Sequence, residues 1–376
     1  MPVTGLADWM DEFAVPGNLW YLKRLSGNDT LANGSHQAGP YIPKSVIFAA
    51  LPSLPRLAGT NPRISLEAFT DIHPDRRFVS AIWYNNLTRD EARVTNWGGG
   101  ASALLDPEST GALAVFVFVG TADGRDAASV HIWVCEGYED EVIEDRVGPV
   151  DPGKFAVWRV GDQPADLFAA RRVAHASCRM SALQMPPDWL TKFPSGAEIV
   201  RRTVDLRPLQ NEGPDARLLK RRECEYELFR SVEEAFEMPA ILAGFSTIDD
   251  FVERALSVLQ RRKARSGRSL ELHARAILIE EGFRQDADFC HGGVSEGGKR
   301  PDFMFPTQAA YRDMTFPPAR LRMLATKTTL KDRWRQILNE ADRIGRKHLL
   351  TLQEGVSIAQ SKRCAPPTCS WWCHAG

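Results

Sequence analysis

The chain contains no apolar run of the roughly 18 residues needed to cross a bilayer. Its N-terminus carries Asp8, Asp11 and Glu12 where a secretory signal would be basic. These two absences exclude a membrane-spanning protein and predict a cytoplasmic one with no membrane partner. Cysteine is sparse: seven residues at irregular spacings fit reduced thiols better than a disulfide framework. Cys364, Cys369, Cys373 and His374 lack the spacing of a zinc knuckle and flank the unusual pair Trp371-Trp372. No internal repeat is present. The segment Gly293-Val294-Ser295-Glu296-Gly297-Gly298-Lys299 imitates a phosphate-binding loop. It continues into Arg300 and Pro301, where such a loop needs Ser or Thr and then a helix, so nucleotide binding is excluded.

What is present is an ordinary globular composition, with 376 residues, 43% hydrophobic and 25% charged, enough for two cored domains. The net charge of −1 conceals a division. Residues 1–170 hold 13 Lys and Arg against 22 Asp and Glu, a net of −9, while residues 171–376 hold 34 against 26, a net of +8. A basic half favours nucleic acid through phosphate neutralisation. An acidic half binds DNA only through a local basic patch, and it can dock on its basic neighbour.

Organisation follows the same division. Residues 78–84, 92–97, 112–119 and 129–135 are apolar, β-branched or aromatic runs between turn residues, and 43–51 reads as one short helix. Pro and Gly punctuate the chain from about 160 to 200. Helical periodicity then spans 217–236, 248–262 and 269–282. The reading is a two-domain α+β and α/β chain: a domain at 1–170, a linker at 171–195, a second domain at 196–360 and a divergent tail at 361–376.

The strongest chemical signal lies late in the chain. Asp302 follows Pro301, Lys327 lies near the end of the strand-like run Leu321–Thr329, and Glu340 falls on a predicted helix with Trp334, Ile337, Leu338 and Ala341. Two carboxylates suit Mg²⁺, and a lysine on the same strand edge suits an attacking water and a charged phosphate. Glu271, on the helix predicted from Ser269, is a possible further carboxylate for the metal. Arg265 and Arg268, in the densest basic run, suit phosphate contacts. Taken singly, each of these residues reads equally as a solvated surface charge. Their order and strand-then-helix setting favour a metal-dependent nuclease.

Several segments now resemble one family: Tyr21 to Thr30, Tyr41-Ile42-Pro43, Ile132 to Cys135, Phe193 to Gly196, Arg268 to His273 and Lys331 to Asp342. Over residues 9–360 the chain resembles EcoRII-type restriction endonucleases, the Type IIE enzymes that cut at CCWGG. The resemblance implies an N-terminal B3-like DNA-binding pseudobarrel and a C-terminal PD-(D/E)xK restriction-endonuclease-like domain. It implies a homodimer acting on double-stranded DNA with Mg²⁺, beside a cognate DNA cytosine methyltransferase. Asp302, Lys327 and Glu340 become the catalytic set, with Tyr311 matching a tyrosine near the family's active site. Lys331, Asp332 and Arg333 become readers of the outer C:G pairs, since Arg or Lys donates to guanine and Asp accepts from cytosine N4.

His36, Tyr41, Arg89, Glu91 and Arg93 match effector-DNA contacts, although Leu87 and Ala92 stand where the family has lysines. Those two departures predict weaker effector binding with a flatter salt dependence. After Gln360 the resemblance stops, and the change of composition reads as a truncated or frameshifted end that leaves the second domain incomplete. A catalytically impaired DNA-binding remnant is therefore the rival reading. A nuclease without strict sequence choice is a third.

Overall fold

A computed structural model describes residues 5–32, 39–71, 73, 75–86, 90–98, 102–121, 126–136, 139–147, 150–161, 178–328, 339–353 and the backbone of 369–373. The N-terminal unit contains α1 (Leu6–Phe13), β1 (Leu19–Arg24), α2 (Lys44–Ala50), β2 (Arg63–Thr70), β3 (Asp75–Tyr84) and β4 (Glu91–Thr95). It continues with β5 (Leu113–Gly120), β6 (Ala127–Val134), α3 (Glu139–Val147) and β7 (Phe155–Arg159). The strands form one curled sheet in the order β4-β3-β2-β6-β5-β1-β7. Every pairing is antiparallel except β2 with β6.

Because side chains alternate across a strand, β5 supplies two cores at once. Ala114, Phe116 and Phe118 join the cluster under α2, while Leu113, Val115 and Val117 join the cluster with Trp9 of α1 and Ile143 of α3. Strand β1 divides in the same way, with Leu19 and Tyr21 on one side and Trp20 and Leu22 on the other.

The second unit begins with a helical layer: α4 (Pro187–Thr191), α5 (Gly196–Leu206), α6 (Pro214–Ala243) and α7 (Ile248–Glu280). Gly244 closes α6 in the left-handed region, at φ 79°, and Thr247 caps α7 by accepting from the Asp250 amide. The two helices predicted over 248–262 and 269–282 are one continuous helix. Buried carboxylates on α6 hold the basic run between them in helical form. Arg254 and Arg261 pair with Glu237, Arg262 pairs with Glu233, and Arg265 lies 3.3 Å from Glu225.

Part of the expected linker belongs to this layer as well. Cys178 forms a disulfide with Cys224 of α6, which corrects the expectation of uniformly reduced thiols. Met180, Met185 and Trp189 pack against Leu228 and Val232. The boundary expected between residues 170 and 171 lies outside the described residues.

A five-stranded sheet follows, comprising β8 (Cys290–His291), β9 (Phe303–Phe305), β10 (Arg322–Lys327), β11 (Lys347–Thr351) and β12 (Cys369–Cys373). Helix α8 (Gln308–Arg312) lies between β9 and β10. The order is β12-β11-β10-β9-β8, with β10, β11 and β12 parallel and β9 antiparallel to β10. Ala274 of α7 packs on Phe303 and Phe289, and this fixes the α7 turn that bears Glu271 against the sheet.

The two units meet through specific contacts. Asp151 lies 3.1 Å from Arg222 of α6 with both side chains buried. Gly111, at φ 87°, approaches so closely that a Cβ there would come within 2.2 Å of Gln353 Oε1.

Nearby, His273 of α7 is fully buried, and neither ring nitrogen has a hydrogen-bond partner among the described residues. Burial first, then Arg222, Arg221 and Arg265, push its pKa from 6.5 down to about 3. The folded state therefore keeps this ring neutral while the unfolded chain takes up a proton below pH 6.5, so stability falls as pH drops through that window. We expect a loss of about 1.4 kcal/mol per pH unit below the unfolded value. Urea titrations between pH 7.5 and 5.5 will measure it, and His273→Leu is expected to remove this part of the slope.

Candidate active site

Strand pairing brings the first two site residues together. Phe303 of β9 is in register with Leu324 of β10, so Asp302, one residue before β9, lies beside the C-terminal end of β10. Asp302 Oδ2 accepts from the Thr326 amide at 2.7 Å and the Thr326 hydroxyl at 2.9 Å. Lys327 follows as the last residue of β10 and is half-buried. Two interactions on one carboxylate oxygen orient the other, and burial of Met323 and Ala325 fixes the strand that carries Lys327.

Glu340 completes the set from a different setting than expected. It lies in a bend, and Ala341 beside it is left-handed at φ 51°. The predicted helical position is thus corrected for residues 339–341. Residues 329–338, and with them Lys331, Asp332 and Arg333, lie outside the described residues.

Two lysines hold the bend by its backbone, Lys299 donating to the Asn339 carbonyl and Lys347 to the Glu340 carbonyl. A third anchor is Glu296, which accepts from the Tyr311 hydroxyl and, at 3.2 Å, from the Asp342 amide. Arg343 clamps the same turn by donating to the carbonyls of Tyr311, Asp313 and Phe316. Sequence reasoning missed Glu296, Lys299, Arg343 and Lys347, because each is an ordinary surface charge until the chain folds. Tyr311 is buried to 3% exposure in the core beside Met304 and Met323. Burial and Glu296 both raise its phenol above the usual range. It is a support for the turn bearing Glu340.

Electrostatics join the carboxylates. Burial raises the Asp302 carboxyl above its ordinary range, Lys327 opposes the rise, and Glu271 adds to it. Burial likewise raises Glu340, with Asp302 adding and Lys327 opposing. Glu271 points its Oε1 to His291 Nε2 at 2.5 Å, and Arg268 lies 3.9 Å from its other oxygen. Two electrostatically coupled carboxylates of raised pKa, both opposed by one lysine, make a site that gains from a hard dication. The donor set thus fits Mg²⁺ in kind. Among the described residues, no three metal-binding side chains converge closely enough to hold it unaided.

The remaining candidates are dispersed. Arg265 is 9% exposed, faces Glu225 and lies over the rings of Tyr226 and Phe229, whereas Arg268 extends to solvent. In the N-terminal unit Tyr41 is 59% exposed, its amide donating to Asp29 Oδ1 at 2.7 Å. A Lys44–Asp90 ion pair of 2.6 Å draws the segment after Tyr41 toward β4, where Glu91 and Arg93 pair at 3.3 Å. His36, Leu87 and Arg89 lie outside the described residues. No helix among the described residues is long and apolar enough to cross a membrane.

Comparison with known proteins covers both units. The family described as "Restriction endonuclease EcoRII, N-terminal" matches residues 14–162, and "EcoRII C terminal" matches residues 229–366. The chain is 41% identical over 360 residues to the Type II restriction enzyme EcoRII of Escherichia coli, covering 94% of this chain and 87% of that protein. Among solved structures it is similar to metal-depleted Ecl18kI in complex with uncleaved, modified DNA. That match has 17% identity and a TM-score of 0.38, covering 49% of this chain and 70% of the other. It is also similar to the B3 domain of UbaLAI restriction endonuclease with cognate DNA, at 18% identity and a TM-score of 0.25, covering 40% and 97%.

Proposed function

Since the chain belongs to the EcoRII family of Type II restriction enzymes, we propose that it cleaves double-stranded DNA at CCWGG sites, using Mg²⁺ and acting as a homodimer. The observation that carries the reading is the meeting of Asp302, Glu340 and Lys327 at the end of β10. Asp302 and Glu340 would hold the metal, with Glu271 as a further carboxylate nearby. The metal supplies charge neutralisation at the scissile phosphate and a more acidic water. Thr326 fixes the Asp302 carboxylate, and Lys327 orients the attacking water and offsets phosphate charge. Lys331, Asp332 and Arg333 read the outer C:G pairs, and Arg268 contacts phosphate.

The N-terminal unit serves as an effector-DNA sensor through His36, Tyr41, Arg89, Glu91 and Arg93. Effector DNA shifts a docking equilibrium between the two units, and the Asp151–Arg222 and Gly111–Gln353 contacts supply a surface on which such an equilibrium can act. A cytosine methyltransferase protecting the same sites is the genetic partner that this activity requires.

Digestion of DNA with and without CCWGG, in Mg²⁺ and in its absence, tests the reading. Metal-dependent cutting confined to CCWGG is expected. A CCWGG-specific band shift without cutting would instead support the impaired remnant, and cutting of both DNAs a nuclease without strict choice. The sensor has its own expected result: residues 1–170 alone bind CCWGG DNA without cutting it, with an affinity that falls as salt rises. Equal affinity for DNA lacking the site, measured by fluorescence anisotropy, would remove the effector role.

A further inference from the structure

Glu271 and Asp302 reach the candidate site from different elements, Glu271 from α7 and Asp302 from the residue before β9. Ala274 packs on Phe303 and so fixes the two backbones, but that contact does not orient the long Glu271 side chain. Among the described residues, two groups approach its carboxylate. Arg268, three residues earlier on α7, lies 3.9 Å from Oε2 with a side chain 63% exposed, too distant for a hydrogen bond. His291 Nε2 lies 2.5 Å from Oε1, and both side chains are largely buried. A carboxylate only accepts, so the imidazole donates through Nε2.

The histidine is itself fixed to the strand end that bears Asp302. His291 pairs with Phe303 across β8 and β9, and its ring lies 5.2 Å from the Phe303 ring. The next amide, Gly292, donates to the Asp302 carbonyl at 3.0 Å. One short strand therefore supplies both a backbone contact to Asp302 and a side-chain contact to Glu271. We propose that His291 is a positioning residue for metal binding, holding Glu271 Oε1 so that Oε2 is left for the cation that Asp302 takes. The inference rests on the proposed function and adds a residue to it. Glu271 adds to the raised pKa of Asp302, so the two carboxylates already share one field. Without the imidazole, Arg268 is the ion-pair partner left to Glu271 among the described residues, and it competes with the metal for that carboxylate.

Mn²⁺ binding to the full chain, followed by electron paramagnetic resonance of the free ion, reads the site without cleavage. His291→Asn and His291→Gln form the decisive pair, since both place an amide on β8 but only the longer one reaches the position of Nε2. His291→Asn is expected to raise the Mn²⁺ dissociation constant about 10–100-fold, and His291→Gln to retain most of the parent affinity. The Mg²⁺ needed for half-maximal single-turnover cleavage is expected to rise in parallel, with the rate recovering at saturating Mg²⁺. In a Glu271→Gln background, His291→Asn is expected to add little, because it acts through that carboxylate. Far-UV circular dichroism checks the fold. Should the asparagine variant unfold, His291→Leu, which keeps apolar bulk beside Phe303 without a donor, carries the same expectation. Equal affinities for the asparagine and glutamine variants would overturn the proposal, as would a loss that persists in full with Glu271→Gln. So would binding tighter than the parent's, which would mean that His291 holds Glu271 off the metal. Asp302→Ala separates this inference from the nuclease reading. Loss of Mn²⁺ binding there, beside an unaffected His291→Asn, removes His291 alone, whereas unchanged binding there removes the metal site and the role of His291 with it.

Discussion

Lys327→Ala is expected to lower the rate of CCWGG cleavage by ~10²–10³-fold or more while changing DNA affinity only several-fold. The expectation follows from where the side chain sits. Lys327 ends β10 beside Asp302 and opposes the raised pKa of both Asp302 and Glu340, so its charge acts on the proposed carboxylate pair. Asp302→Ala and Glu340→Ala are expected to lose cleavage to at least the same extent, because each removes half of the carboxylate pair. Single-turnover cleavage measured beside fluorescence anisotropy separates the chemical step from binding. Near-wild-type cutting by any of the three variants removes that residue from the assignment. Lys347→Ala offers a contrast: it frees the Glu340 carbonyl and removes one of the cations opposing the raised Glu340 pKa, but leaves both carboxylates and Lys327 in place, so a smaller loss is expected there.

The candidate site was legible where local pattern and tertiary setting agree. Met323, Ala325 and Lys327 alternate along a strand with one buried face, so the strand and the lysine at its end could be read directly. Glu340 was legible as a candidate carboxylate, but its setting was misread. Trp334, Ile337, Leu338 and Ala341 continue a helical period past the point where Lys299, Lys347 and Glu296 pin residues 339–342 as a turn. Those anchors come from three distant segments, and no local period encodes them.

The same limit applies to the fold. Strand β1 lies between β5 and β7 with a core on each face, so Leu19 to Leu22 shows no alternation to read. Gly267 and the basic run look like a helix end. Glu225, Glu233 and Glu237 on the neighbouring helix supply the ion pairs that carry α7 through them. Cys178 and Cys224 are separated by 46 residues, and only the packing of the first against α6 makes them partners.

Arg24→Met is expected to destabilise the N-terminal unit by about 3–5 kcal/mol, the usual consequence of removing one member of a buried ion pair. The Arg24 side chain is 2% exposed, 2.7 Å from Glu144 and 3.2 Å from Asp140. Burial opposes its charge, but the two carboxylates outweigh that and hold the guanidinium firmly protonated. It also donates to the carbonyls of Val150 at 2.8 Å and Gly111 at 3.2 Å. Methionine keeps much of the volume and leaves Glu144 buried without its cation. The position has a second consequence, because Asp151 follows Val150 and pairs with Arg222, while Gly111 packs against Gln353. One buried arginine thus shapes two of the places at which the N-terminal unit meets the other. Urea unfolding of residues 1–170 will measure the stability change. Cleavage by the full-length variant, assayed with and without a second CCWGG site in trans, will measure the coupling. A weakened dependence on the second site is expected even where the unit remains folded. A change below 1 kcal/mol, or a dependence identical to the parent's, would show that Arg24 does not organise this surface.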